Sequence, residues 1–189
     1  MNGEVRVWEI RSKEMISNLK EHIQRVSKVQ VFSDDLHLLT AAKDKSILVW
    51  DLAKEKRVSS YQVLMGGVNN FQISPVDQNL LITVGQDRKI TQWDLRHTRP
   101  VRIICSDPYN KLDKADELFG IAISNDGKHL ATGGTGGVIR LWDIYNGLSF
   151  YEENYAHSNN ITGLAYTYDD RFLISSAEDS MILSFKNKI

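Results

Sequence analysis

The sequence predicts an all-β protein assembled from short strands in repeated units of about 43 residues. Three observations predict it. Trp8, Trp50, Trp93 and Trp142 lie 42, 43 and 49 residues apart in a chain of 189. Ten residues before the last three stand Thr40, Thr83 and Thr132, a small hydroxyl residue each time. Between these anchors, aliphatic and polar residues alternate in runs separated by turn residues, as half-buried strands require.

The elements follow in order. Asn2 stands where a turn aspartate stands in later units. Two runs follow, Glu4 to Glu9 and about Lys13 to Leu19, predicting a third and a fourth strand. The first full unit predicts strands over Val26–Phe32, Leu36–Ala42, Ser46–Asp51 and Arg57–Val63. Two further four-strand units are anchored on Trp93 and Trp142. Phe185, 43 residues after Trp142, is a fifth anchor with the aromatic ring retained, and Ser175 stands ten residues before it. That last unit holds three strands, which makes seventeen in all.

Composition narrows the function classes. The 23 Lys+Arg residues nearly balance 24 Asp+Glu, and a net charge of −1 gives no general attraction to nucleic acid or an anionic membrane. One cysteine, Cys105, excludes an internal disulfide framework and a cysteine-based zinc site. No apolar run approaches the roughly 18 residues of a membrane span. Met1-Asn2-Gly3-Glu4 lacks the basic and apolar regions of a signal peptide.

Six residues before the anchors stand Asp44, Asp87, Gly136 and Asp179. Each aspartate falls in the turn between the second and third strands, where a carboxylate accepts backbone N–H groups. Twenty-eight residues before Trp50 is His22, and the same count from Phe185 gives His157. At that offset the two middle units carry Met65 and Lys114 instead. The period and the dipeptides Trp50-Asp51, Trp93-Asp94 and Trp142-Asp143 resemble WD-repeat β-propeller blades. The resemblance implies a partial propeller of four-stranded blades, an arc of a seven-bladed ring. It divides residues 1–189 into a partial blade at 1–20, blades at about 21–64, 65–106 and 107–153, and a partial blade at 154–189. It also implies a buried hydrogen-bond network of His22, Thr40, Asp44 and Trp50. Parallel sets are His157, Ser175 and Asp179 beside Phe185, then Thr83, Asp87 and Trp93, then Thr132 and Trp142. Phe185 has no N–H, so its set ends one bond short. The two middle units lack the histidine and are expected to be less rigid.

The order of units adds a narrower resemblance. Gly3-Glu4-Val5-Arg6-Val7-Trp8 is followed by Leu19-Lys20-Glu21-His22, then by a unit with Thr83-Val84-Gly85-Gln86-Asp87, then by Thr132-Gly133-Gly134. The last unit opens His157-Ser158-Asn159-Asn160-Ile161-Thr162. This order is similar to the C-terminal end of the cilia- and flagella-associated WD-repeat proteins of doublet microtubules. It implies a non-enzymatic scaffold of the cytoplasm and cytoskeleton, in the axoneme of a cilium or flagellum, that binds tubulin and other microtubule inner proteins. No cofactor, metal, nucleic acid or membrane is implied. The partial first and last blades imply that another chain supplies the missing ones.

Several motifs invite other chemistry. Gly133-Gly134-Thr135-Gly136-Gly137 lacks the Lys-Ser/Thr of a phosphate loop and falls in a strand-to-strand turn. His22 with Asp44, and His157 with Ser175 and Asp179, hold residue types of a hydrolase triad. They recur per unit, whereas a triad occurs once with an accessible nucleophile. Residues 106–117 hold the insertion of the Trp142 unit and read as a protruding polar loop. Within it Asp113, Asp116 and Glu117 lack calcium-loop spacing and read as a partner contact. Trp93-Asp94-Leu95-Arg96 resembles the Trp-Asp-x-Arg box of soluble WD-repeat adaptors that serve as substrate receptors of cullin ubiquitin ligases, so Arg96 is a second candidate contact. With His97, Arg99 and Arg102 it forms a local basic patch. Asn160-Ile161-Thr162 matches a glycosylation sequon and is expected to stay unmodified.

Overall fold

A computed structural model describes residues 3–64, 66–109 and 116–187. Asn2, Met65, Asp113 and Lys114, named above, lie outside them. The protein is all-β, a partial propeller built of WD-type blades, with seventeen strands among the described residues. Among the described residues no helix is long and apolar enough to cross a membrane. The chain divides into two compact units, residues 1–69 and 70–189.

The first unit holds a two-stranded sheet, β1 (Gly3–Trp8) with β2 (Met15–His22), and a four-stranded sheet in the order β3-β4-β5-β6. Those four strands are Val26–Val31, His37–Ala42, Ser46–Asp51 and Lys56–Gln62. The expected first two runs shift by a few residues. A tight turn explains this: Lys13 N–H donates to Glu9 O at 2.9 Å and Glu9 N–H to Glu14 O at 3.0 Å. Val5 and Leu19 pack on Leu38, Leu48 and Trp50 to form this unit's core. Trp8 has the anchor position but only β1 and β2 around it, and its ring residue is 53% exposed. Trp50, Trp93 and Trp142 are 1–2% exposed.

The second unit holds three sheets. Strands β7 (Val68–Ile73), β8 (Leu80–Gly85), β9 (Lys89–Asp94) and β10 (Pro100–Cys105) form the first, with β7 starting at the unit boundary. Strands β11 (Leu118–Ile123), β12 (His129–Gly134), β13 (Val138–Asp143) and β14 (Ser149–Tyr155) form the second. Strands β15 (Ile161–Tyr166), β16 (Phe172–Ala177) and β17 (Ile182–Lys186) form the third. Ile82, Val84 and Ile90 pack against Leu118, Ile121, Ile123, Leu130 and Trp142. Ala131 and Ile139 pack against Ile161 and Leu173, with Leu164 and Phe185 at the margin. At the opposite ends of these strands, the Asp170 carboxylate accepts the Asn125 N–H at 2.8 Å and the Asp126 N–H at 3.0 Å.

The repeat is visible in backbone detail. A register shift falls between Val26 and Lys28, between Leu118 and Gly120, and between Ile161 and Gly163, each 24 residues before an anchor. Such bulges turn the strand and sharpen its twist. Five residues before each of the last four anchors the chain adopts positive φ: Lys45 at 69°, Arg88 at 59°, Gly137 at 71° and Ser180 at 66°. Gly137 also needs its missing side chain, because a Cβ there would lie 2.0 Å from the His157 carbonyl oxygen. The glycine-rich run thus answers a turn and a close backbone approach.

Candidate functional site

The small hydroxyl ten residues before each tryptophan is a hydrogen-bond hub. Strand alternation puts both residues on one face of adjacent strands. The indole N–H of Trp50 donates to Thr40 Oγ1 at 2.9 Å, that of Trp93 to Thr83 at 3.0 Å, and that of Trp142 to Thr132 at 2.8 Å. Around Thr40 the set extends further. His22 Nε2 lies 2.8 Å from Thr40 Oγ1, and His22 Nδ1 lies 3.1 Å from Asp44 Oδ2. A carboxylate only accepts, so Nδ1 carries the proton; in the neutral ring Nε2 then accepts from the Thr40 hydroxyl. His157 makes the same pair of contacts, 2.9 Å to Asp179 Oδ2 and 2.7 Å to Ser175 Oγ.

The turn aspartates differ by environment. Burial pushes the Asp44 carboxyl up, but the hydroxyl and amide of Ser46, the Ile23 amide and the His22 ring outweigh it, so it sits below the usual range. Asp179 follows the same balance: burial raises it, while the Met181 amide, His157 ring and Ser158 amide bring it down. Asp87 has no histidine beside it. Burial dominates there, and the Lys89 amide at 3.2 Å does not offset it, so its carboxyl is raised.

The Asp of each Trp-Asp dipeptide caps the next turn. Asp51 accepts the Lys54 N–H at 2.9 Å, and Asp143 accepts the Asn146 N–H at 3.0 Å. Asp94 does this for Arg96, whose guanidinium lies against it at 2.8 and 2.6 Å. That guanidinium holds the Asp94 carboxyl at a pKa of about 2. Arg96 of the Trp-Asp-x-Arg box is therefore exposed but folded back on its own turn. Arg102 of the basic patch donates to the Gly147 carbonyl. Asn160 of the sequon donates to Glu178 Oε2 at 2.8 Å.

Residues 110–115 of the segment 106–117, expected to protrude, lie outside the described residues. The segment's first end stays bonded to the β8–β9 turn, Ser106 N–H donating to Arg88 O at 2.9 Å, and its second end is built into the β11–β14 sheet. Glu117 N–H donates to Thr135 Oγ1 at 3.1 Å, and Thr135 N–H donates to Glu117 O at 2.9 Å. Asp116 accepts from Arg140 Nη1 at 2.8 Å. Arg140 is buried, and Asp107 and Glu153 also flank its guanidinium. Reading by sequence missed Arg140. Two before the anchor the other units carry Arg6, Leu48, Thr91 and Leu183, so a charge in that slot does not by itself mark a buried residue.

The outer edge of β17 exposes apolar side chains, Met181 and Ile182 among them. Among the described residues no strand pairs with it. Ile182 is 75% exposed, whereas Ile47 and Ile139, at the same position before their anchors, are 0% and 2% exposed. A groove of about 490 Å³ runs beside it, with Leu141, Tyr166, Leu173 and Phe185 in its lining. The Tyr166 hydroxyl is buried, without a hydrogen-bond partner among the described residues.

With this geometry in hand, similarity to known proteins can be read. The chain is 28% identical over 186 residues to human cilia- and flagella-associated protein 52, covering 97% of this chain and 28% of that protein. The Chlamydomonas reinhardtii protein of that name is 31% identical over 175 residues, covering 90% and 26%. Methylosome protein WDR77 of Xenopus laevis is 31% identical over 193 residues, covering 96% and 54%. The chain thus spans under a third of the ciliary relatives' length. The β-propeller domain of Myceliophteria thermophila Cps50 (Swd1) superposes with a TM-score of 0.86 at 21% identity, over 98% of this chain and 59% of that one. The family model of the WD domain, G-beta repeat, matches residues 13–51, 106–143 and 150–185. Those segments make up more than half of the sequence, and they carry the anchors Trp50, Trp142 and Phe185 with Thr40, Thr132 and Ser175: the chain belongs to the WD40 repeat family.

Proposed function

We propose that this chain is a non-enzymatic scaffold of ciliary or flagellar doublet microtubules. In this reading it resides in the axonemal cytoskeleton and binds tubulin and neighbouring inner proteins. Residues 21–64, 65–106 and 107–153 act as blades, flanked by partial blades at 1–20 and 154–189. The observation that carries the proposal is similarity to cilia- and flagella-associated protein 52 along 97% of the chain. The geometry supports a scaffold. The histidine, hydroxyl and aspartate groups that resemble a triad hydrogen-bond to tryptophans and turn amides inside the sheets. We assign them the role of struts. The edge of β17, unpaired among the described residues, supports binding through protein surfaces, strand addition included.

A second reading is favoured by the similarity to WDR77 along 96% of the chain. It makes the chain a soluble WD-repeat adaptor, such as a substrate receptor of a cullin ubiquitin ligase that uses Arg96. Tagging the protein in a ciliated cell separates the two. Signal along the axoneme that resists high-salt extraction is the expected result. A diffuse cytosolic or nuclear signal rejects the scaffold and favours the adaptor.

A further inference from the structure

The sheet β11–β14 lacks both polar partners found around Thr40 and Ser175. Its turn carries Gly136 where the others carry Asp44 and Asp179, and its hub Thr132 has no histidine at hydrogen-bond distance among the described residues. Yet a carboxylate is present at that turn. A Cβ placed on Gly136 would come 3.2 Å from Asp116 Oδ1. The Asp116 side chain therefore fills the space that an aspartate at 136 would have used, entering from the connection between sheets. Thr135 Oγ1 lies 3.3 Å from the same oxygen.

A carboxylate so placed needs a donor, and Arg140 supplies it. Arg140 and Trp142 are two apart on β13 and face the same way, and Arg140 is the cross-strand partner of the hub Thr132. Its Nη1 lies 2.8 Å from Asp116 Oδ2, and its Nη2 lies 4.0 Å from Asp107 Oδ2. Its Nε has no hydrogen bond among the described residues; Glu153 Oε2 is 3.5 Å away. A buried guanidinium is tolerated only when carboxylates surround it, and three do so here. Asp107 and Asp116 belong to the two ends of the connection. Those ends are further joined by Ser106 Oγ donating to the Asp116 carbonyl at 3.0 Å.

We propose that Arg140 and Asp116 replace the histidine–aspartate pair in this sheet, and that Arg140 thereby clamps both ends of the 106–117 connection onto it. Arg140 is a positioning residue. Asp107 and Asp116 are then structural parts of the sheet, and its turn is completed by a carboxylate that stands ahead of its first strand.

Amide hydrogen exchange on the full chain tests this, because the clamped amides are identified. In Arg140→Met the Glu117 and Thr135 amides should exchange about tenfold faster or more, a charge-assisted hydrogen bond being lost. Amides of β8 and β9 in the neighbouring sheet should not change. Asp116→Asn keeps the shape of the side chain and carries the same test if Arg140→Met does not fold. The double variant Arg140→Met/Asp116→Asn should exchange no faster than the faster single variant, since one clamp is removed in each case. Unchanged exchange at Glu117 and Thr135 in Asp116→Asn overturns the proposal. So do single effects that multiply in the double variant.

Discussion

At the scale of single residues, one missing nitrogen separates the last sheet from the first. His157, Ser175 and Asp179 hold the same distances as His22, Thr40 and Asp44, but Phe185 offers Ser175 no N–H. The Phe185→Trp variant places an indole N–H where Trp50, Trp93 and Trp142 place theirs. The groove beside Phe185 leaves room for the larger ring. A neutral buried hydrogen bond contributes about 1 kcal/mol. Phe185→Trp should therefore raise the thermal midpoint by a few degrees, measured by circular dichroism. A lower midpoint would show that the hub contributes nothing at this position. Spacing made such positions legible, because one residue type recurs at one offset in every unit. Arg140 was not legible in the same way. Its slot, two before the anchor, holds Arg6, Leu48, Thr91 and Leu183 in the other units, and its partners Asp107, Asp116 and Glu153 lie at unrelated offsets.

At the scale of the element, the turn between the second and third strands of a sheet sets the pH response. Asp44 in the β4–β5 turn is held below the usual carboxylate range. Burial alone would raise it, and donors from Ser46, Ile23 and His22 win. A depressed folded-state value means the carboxylate stabilises the fold above the ordinary value, and that this is lost as pH falls through the depressed one. Asp87 in the β8–β9 turn has the opposite sign. Burial raises it with too few donors to answer, so the protonated form is favoured. Its contribution is full below the ordinary value and is lost as pH rises through the raised one, leaving a cost at neutral pH. Asp44→Asn should destabilise the protein at pH 7 by about 1–3 kcal/mol. Asp87→Asn should be neutral or stabilising there. Urea titrations at pH 7 and at about pH 2, below the ordinary carboxylate value, should show the Asp44→Asn deficit shrinking at the lower pH, and any advantage of Asp87→Asn shrinking as well. Equal losses in both variants at pH 7 would reject the contrast. The sequence shows two aspartates at one offset and the histidine that one of them lacks; the opposite signs follow from the donors the fold gathers on Asp44, first the Ser46 hydroxyl and amide and then the Ile23 amide and His22 ring, against the Lys89 amide at Asp87.

At the scale of the whole molecule, the proposed assembly needs a strand on the open edge of β17, and backbone alternation says which atoms it would use. Asn187 N–H donates to Arg171 O at 2.7 Å, and Ala177 N–H donates to Met181 O at 3.3 Å. In an antiparallel pair the bonded residues alternate, so Leu183 and Phe185 face β16. Ile182, Ser184 and Lys186 then turn their N–H and C=O groups outward. Proline lacks the N–H but is accepted at the open side of an edge strand. Ser184→Pro should leave the thermal midpoint within a few degrees of the parent, because no bond to β16 is removed. It should also abolish incorporation into the axoneme, because the incoming strand loses an acceptor's partner and meets the ring. Leu183→Pro serves as the control, since it removes a donor to β16 and should unfold the β15–β17 sheet. If Ser184→Pro incorporates as well as the parent chain does, the partner does not pair with β17, and the exposure of Ile182 needs another cover.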